Sequence, residues 1–191
     1  MFSRWMGGYP SSAAPEAVDR TGADDTALRV IPCLDIKGGR VVKGVRFENL
    51  GDSGDPAALA ARHEYAGADA LPLLDISATL EERKTALEAV RAGRAAVSIP
   101  ISVGGGIKGA EDASRLLEAG ADRVSVNSAA VRDPGLVSAL AERFGVQCVV
   151  VAVDARKNPG GPGGEVVIDA GKRGTGLDVK EWASRCAALG A

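Results

Sequence analysis

From Leu28 onward the chain repeats one unit: a short β-branched run, a polar or glycine-rich break, then an alanine-rich amphipathic stretch. Two junctions are spelled alike, Gly67-Ala68-Asp69 and Gly120-Ala121-Asp122, each a helix C-cap glycine leading straight into a strand. Alternation of this kind builds βα units around a parallel sheet, and right-handed crossovers put every strand's C-terminal end on one rim. Strands are expected at 29–35, 70–75, 99–103, 123–126 and 148–154. Helices are expected after Asp55-Pro56 and at 80–92, 110–119, 134–144 and 178–189, the first with Asp55 as N-cap and Pro56 in its first turn.

The last residues, Leu189-Gly190-Ala191, are the opening letters of another Gly-Ala-Asp junction. About five βα units are therefore expected, against the eight strands and ~250 residues of a closed barrel. The reading is either an open five-stranded sheet or the front of a barrel, and the interrupted junction favours the second. The expected fold class is α/β, a (βα)8 TIM-barrel domain truncated after about five units and covering residues 28–191. Residues 1–27 mix Gly, Pro, Ser and acidic side chains without periodicity and read as a disordered extension.

Composition narrows the function. A net charge of −2 gives no electrostatic reason to expect nucleic acid or a membrane surface, and aromatics at 4% are too few for base-stacking platforms. No run approaches the ~18 apolar residues of a membrane span, and the N-terminus lacks a secretory apolar core. Cys33, Cys148 and Cys186 are an odd count without metal spacing. Cys33 and Cys148 sit in apolar runs and are expected to be buried thiols, and a reducing cytosol fits them.

Three carboxylates stand at expected strand ends: Asp35, Asp75 and Asp154. In an eightfold barrel the first and fifth strands face each other, so Asp35 and Asp154 would flank one substrate as acid and base. The plain alternative is that strand-end aspartates cap helices or bind loops. Gly104-Gly105-Gly106 follows the third strand and Asn127-Ser128 the fourth, and together they offer backbone and side-chain donors for a phosphate. A tight turn would also explain the glycines. Lys43, with Arg40, lies in a long loop after the first strand, where it either closes over an anionic substrate or is a solvated surface lysine. A glycine-rich excursion, Asn158–Gly164, leads into an expected hairpin ending at 171–176, long enough for a lid. The single histidine, His63, falls mid-helix, and no Ser-His-Asp set or metal cluster is visible.

The runs IPCLDIKGGRVVKG, FENLGDSGDP (Phe47–Pro56), LLDIS (Leu73–Ser77), SVGGGI (Ser102–Ile107), RVSVNSAAV (Arg123–Val131) and VVVAVDAR (Val149–Arg156) resemble the cyclase subunit of imidazole glycerol phosphate synthase, from histidine biosynthesis. The resemblance implies a (βα)8 barrel that takes ammonia from a glutaminase partner. It adds that ammonia to a phosphorylated ribulosyl aminoimidazole carboxamide, giving imidazole glycerol phosphate and a purine precursor without metal or redox cofactor. It further implies Asp35 and Asp154 as the catalytic pair and Lys43 as a substrate clamp. Gly106, Asn127 and Ser128 fall in the implied phosphate site, with Asp75 supporting it. Arg29 and Arg123 match basic members of the family's charged ammonia entrance, whereas Ala70 stands where an acidic residue is usual. Pro72, inside the second strand, is expected to break a central ladder. The alternatives are an inactive phosphate-binding half-barrel fragment and the related aminoaldose isomerase of the same pathway.

Overall fold

The computed structural model describes residues 28–45, 48–76, 80–158 and 162–191. The extension expected at 1–27 lies outside the described residues. Strand β1 (Leu34–Lys37) buries Leu34 and Ile36 and turns Asp35 and Lys37 the other way. Gly38 and Gly39 then take φ of 56° and 73°. Two positive φ values make the primed two-residue turn that a twisted hairpin requires. The chain therefore returns at once as β2 (Arg40–Val45) and again as β3 (Glu48–Gly54), where sequence alone gave a long loop.

Helix α1 (Pro56–Tyr65) opens as expected: the Asp55 carboxylate accepts from the Ala58 N–H at 2.9 Å. Strand–helix alternation follows through β4 (Leu71–Asp75), α2 (Leu80–Ala96), β5 (Ile101–Gly104), α3 (Ala110–Glu118) and β6 (Arg123–Val126). A short helix α4 (Ser128–Arg132) precedes α5 (Gly135–Phe144) and β7 (Val149–Val151). The chain then leaves the pattern. Strands β8 (Asp154–Lys157), β9 (Gly164–Ile168) and β10 (Arg173–Asp178) form a separate antiparallel sheet, followed by α6 (Val179–Ala188), which Asp178 caps.

The main sheet runs β3-β2-β1-β4-β5-β6-β7, with β1, β4, β5, β6 and β7 mutually parallel and β2-β3 an antiparallel addition. These five consecutive parallel strands are the α/β arrangement of barrel units that the repeat predicts. One sheet face is sealed: Leu71, Leu73, Ile101 and Val124 are all at most 1% exposed. Burying such a side chain contributes roughly 1.5–3 kcal/mol, so this face dominates stability. The register sets Asp35, Leu74, Gly104, Ser125 and Val150 in one row across the opposite face. Trp182 of α6 is buried in the same cluster as Val166 of β9 and Leu140 of α5, which anchors the second sheet to the body.

Three expectations need correction. Strand β1 begins at Leu34 rather than Arg29, because the Val30 backbone bonds to Asp69 instead of a ladder: its N–H donates to Asp69 Oδ2 at 2.6 Å, and its carbonyl accepts from the Asp69 N–H at 2.9 Å. Pro72 does not break the sheet. The Leu71 N–H points towards β5, accepting residue Pro100 at 2.8 Å, so alternation turns position 72 towards β1, whose pairing with β4 starts only at Leu73. The cysteines also differ from expectation. Cys33 is exposed and Cys148 half-buried, while Cys186 on α6 is the buried one. Cys33 precedes the buried Leu34 and so falls on the Asp35 side of the strand.

The repeated Gly-Ala-Asp junction has a second purpose. Asp122 treats Ile101 as Asp69 treats Val30: Oδ2 accepts from the Ile101 N–H at 2.7 Å, and the Asp122 N–H donates to the Ile101 carbonyl at 2.8 Å. Asp122 thus pins the first residue of β5, and Asp69 pins the segment that leads into β1, both at the N-terminal rim.

Candidate active site

The C-terminal rim gathers the candidate residues in sheet order. Asp35 is half-buried on β1, and burial raises its pKa above the ordinary carboxylate range, with the charge of Lys43 offsetting part of that rise. Lys43 is exposed and belongs to β2, where Gly51 is its partner, so it is a strand residue rather than part of a mobile loop. Its route to Asp35 is the Gly38-Gly39 turn, which folds β2 back along β1. Next along the rim, Asp75 closes β4 with Ile36 as its register partner.

The glycine run after β5 is explained partly by packing. A Cβ on Gly105 would lie 1.9 Å from the Asp75 carbonyl oxygen, and φ at that position is +101°. Only glycine lets the loop approach β4 this closely. Gly106 remains exposed at the rim and is the member available to a ligand.

After β6, the Asn127 Nδ2 donates to Asp154 Oδ2 at 3.0 Å. Asn127 therefore orients the second aspartate, a role that its expected place in a phosphate site did not suggest. Asp154 itself opens β8 rather than ending the fifth parallel strand, which stops at Val151. Ser128 begins α4, and its hydroxyl accepts from the Asp169 N–H at 3.1 Å. No hydrogen bond joins Asp35 to Asp154 among the described residues. They stand at β1 and just beyond β7, four strand spacings apart, which is about 19 Å along a flat sheet and less along a coiled one.

This geometry can hold an extended polar substrate along one rim, with the half-buried Asp35 at one end and Asp154, oriented by an amide, at the other. Sequence reasoning missed Arg132, Asp169 and Arg173, which meet beside Ser128: Asp169 pairs with Arg132 and, at 3.6 Å, with Arg173. A contact between α4 and a hairpin some forty residues later leaves no local signal. Among the described residues, no group of three or more His, Cys, Asp or Glu side chains could hold a metal ion, and no helix is long and apolar enough to cross a membrane.

A family model described as Histidine biosynthesis protein matches residues 29–191. The chain belongs to this family. It is 58% identical over 165 residues to the imidazole glycerol phosphate synthase subunit HisF of Synechococcus sp. (strain CC9311), a match covering 86% of this chain and 62% of that protein. It is 54% identical over 169 residues to the same subunit of Corynebacterium diphtheriae, covering 86% and 66%. With that of Dehalococcoides mccartyi it shares 56% identity over 163 residues, covering 85% and 64%. The chain thus spans less than two thirds of the length of these relatives. All three relatives are the same synthase subunit, which favours the synthase resemblance over the isomerase.

Proposed function

We propose that this chain carries the cyclase chemistry of imidazole glycerol phosphate synthase, with Asp35 and Asp154 as its acid–base pair. The observation that carries the reading is their placement on one rim: Asp35 is desolvated, and Asp154 is held by Asn127. Ring closure with ammonia needs one group to deliver a proton and another to remove one. Asp35 and Asp154 divide these two roles between them. Lys43, exposed beside Asp35, holds the anionic substrate. Gly106 and Ser128 receive a phosphate, with Asn127 and Asp75 supporting the rim. The chemistry asks for no cofactor. Ammonia comes from a glutaminase subunit, so the working unit is a heterodimeric lyase of the cytoplasm.

The test is turnover of the formimino ribulosyl carboxamide ribotide with ammonium as nitrogen donor. Imidazole glycerol phosphate should form, and Asp35→Asn or Asp154→Asn should each lower the rate by at least ~100-fold, the usual contribution of a positioned acid or base. Absence of ammonium-dependent product would overturn the reading.

A second reading has its own observation. The outer edge of β7 borders an open groove of about 270 Å³ lined by Val149, Val150, Val151, Val153, Ala183 and Cys186, among others. That edge suits a phosphate-binding piece that pairs with another half-barrel. Size-exclusion chromatography separates the two: self-association with phosphate bound but no turnover would favour the second.

A further inference from the structure

The hairpin joining β9 to β10 is fastened to α4 through one residue. The Asp169 N–H donates to Ser128 Oγ at 3.1 Å. Its carboxylate pairs with Arg132 and lies 3.6 Å from the Arg173 guanidinium. Asp169 and Ala170 both hold φ of 56°, an uncommon conformation for residues other than glycine. Ser128 Oγ uses only an acceptor lone pair in this contact, so its own proton remains to be donated. Two guanidinium groups around one anion, beside a hydroxyl donor, are the chemistry that recognises phosphate esters. The arginine side chains are 51% and 59% exposed, so an incoming ligand reaches them. Lys172, also exposed, adds positive charge at the same turn.

We propose that Arg132 is a second cationic contact for a substrate phosphate at Ser128, and that Asp169 is the internal anion the phosphate displaces from it. The proposal rests on the reading of Ser128 as a phosphate ligand. It makes the hairpin responsive to substrate, because its tether and the phosphate compete for one guanidinium.

The test titrates inorganic phosphate into the full chain by calorimetry at fixed ionic strength, with folding of each variant checked by circular dichroism. Asp169→Asn should tighten binding and Arg132→Ala should weaken it, each by up to about tenfold, the size of one charge-assisted hydrogen bond. The Arg132→Ala/Asp169→Asn double variant should still bind more weakly than Asp169→Asn alone, and Arg132→Lys should recover part of the loss. Equal affinities for the double variant and Asp169→Asn would overturn the proposal, since Arg132 would then only neutralise Asp169. If Ser128→Ala abolishes binding while that equality holds, the phosphate reading stands and only the role of Arg132 falls. If the wild-type chain binds no phosphate, both fall.

Discussion

At the N-terminal rim of the parallel strands, Asp69 and Asp122 each take a backbone N–H, that of Val30 in the segment before β1 and that of Ile101 at the start of β5. At the C-terminal rim, no backbone N–H among the described residues donates to Asp35 or Asp154; one is desolvated and the other meets an amide side chain. The residue type is the same. Partners separate the two sets. A carboxylate that takes a backbone donor fixes the position of that segment, whereas one facing the rim can exchange protons and meet a ligand. The Gly-Ala-Asp repeat and the strand-end aspartates, alike in composition, thus divide into scaffold and chemistry.

Substitutions can break this division. Gly105→Ala should have the largest effect, about 3 kcal/mol, because a Cβ at 1.9 Å from the Asp75 carbonyl adds to the strain of a positive φ. Urea denaturation measures it. Asp122→Ala should cost about 2 kcal/mol by the same method, through the part-buried Ile101 N–H left without its charged acceptor. Its ion pair with Arg94 adds little, since that carboxylate side chain is 47% exposed. Asp69→Ala should cost less, about 1 kcal/mol, because Val30 lies at the exposed end of its segment.

The smallest effect is expected at the other rim. Asp35 has a folded-state pKa above its unfolded value, so the native state holds the proton more tightly, and stability falls as pH rises between the two values. Asp35→Asn removes that loss. Its melting temperature relative to wild type should therefore rise slightly from acid to neutral pH. A loss of relative stability on the same change would place Asp35 with the scaffold aspartates.

The repeat was legible because each unit carries its own local signals. Asp55-Pro56 marks a helix start, and the short β-branched runs expected as strands at 99–103 and 123–126 are strands at Ile101–Gly104 and Arg123–Val126. The β1–β2 hairpin was also spelled out, by Gly38-Gly39 between two strand-like runs, yet the charged residues Lys37, Arg40 and Lys43 give it the look of a loop. Asp35 and Asp154 could be named from strand ends alone. What orients them could not: the Asn127 contact spans 27 residues and the Asp169 tether 41. Such contacts exist only once the crossovers have set the strand ends side by side. Pro72 teaches the same point in reverse, since a proline is harmless in a strand when its missing N–H falls where pairing has not begun.

The central claim is that ligand chemistry belongs to the C-terminal rim and register to the N-terminal one. Backbone amide chemical shifts of the full chain, followed while imidazole glycerol phosphate is added, test it most directly. The account predicts saturable shifts at Asp35, Gly105-Gly106, Asn127-Ser128 and Asp154, with Asp69 and Asp122 unmoved. Saturable shifts centred on Asp69 and Asp122, or none at the C-terminal rim, would contradict it.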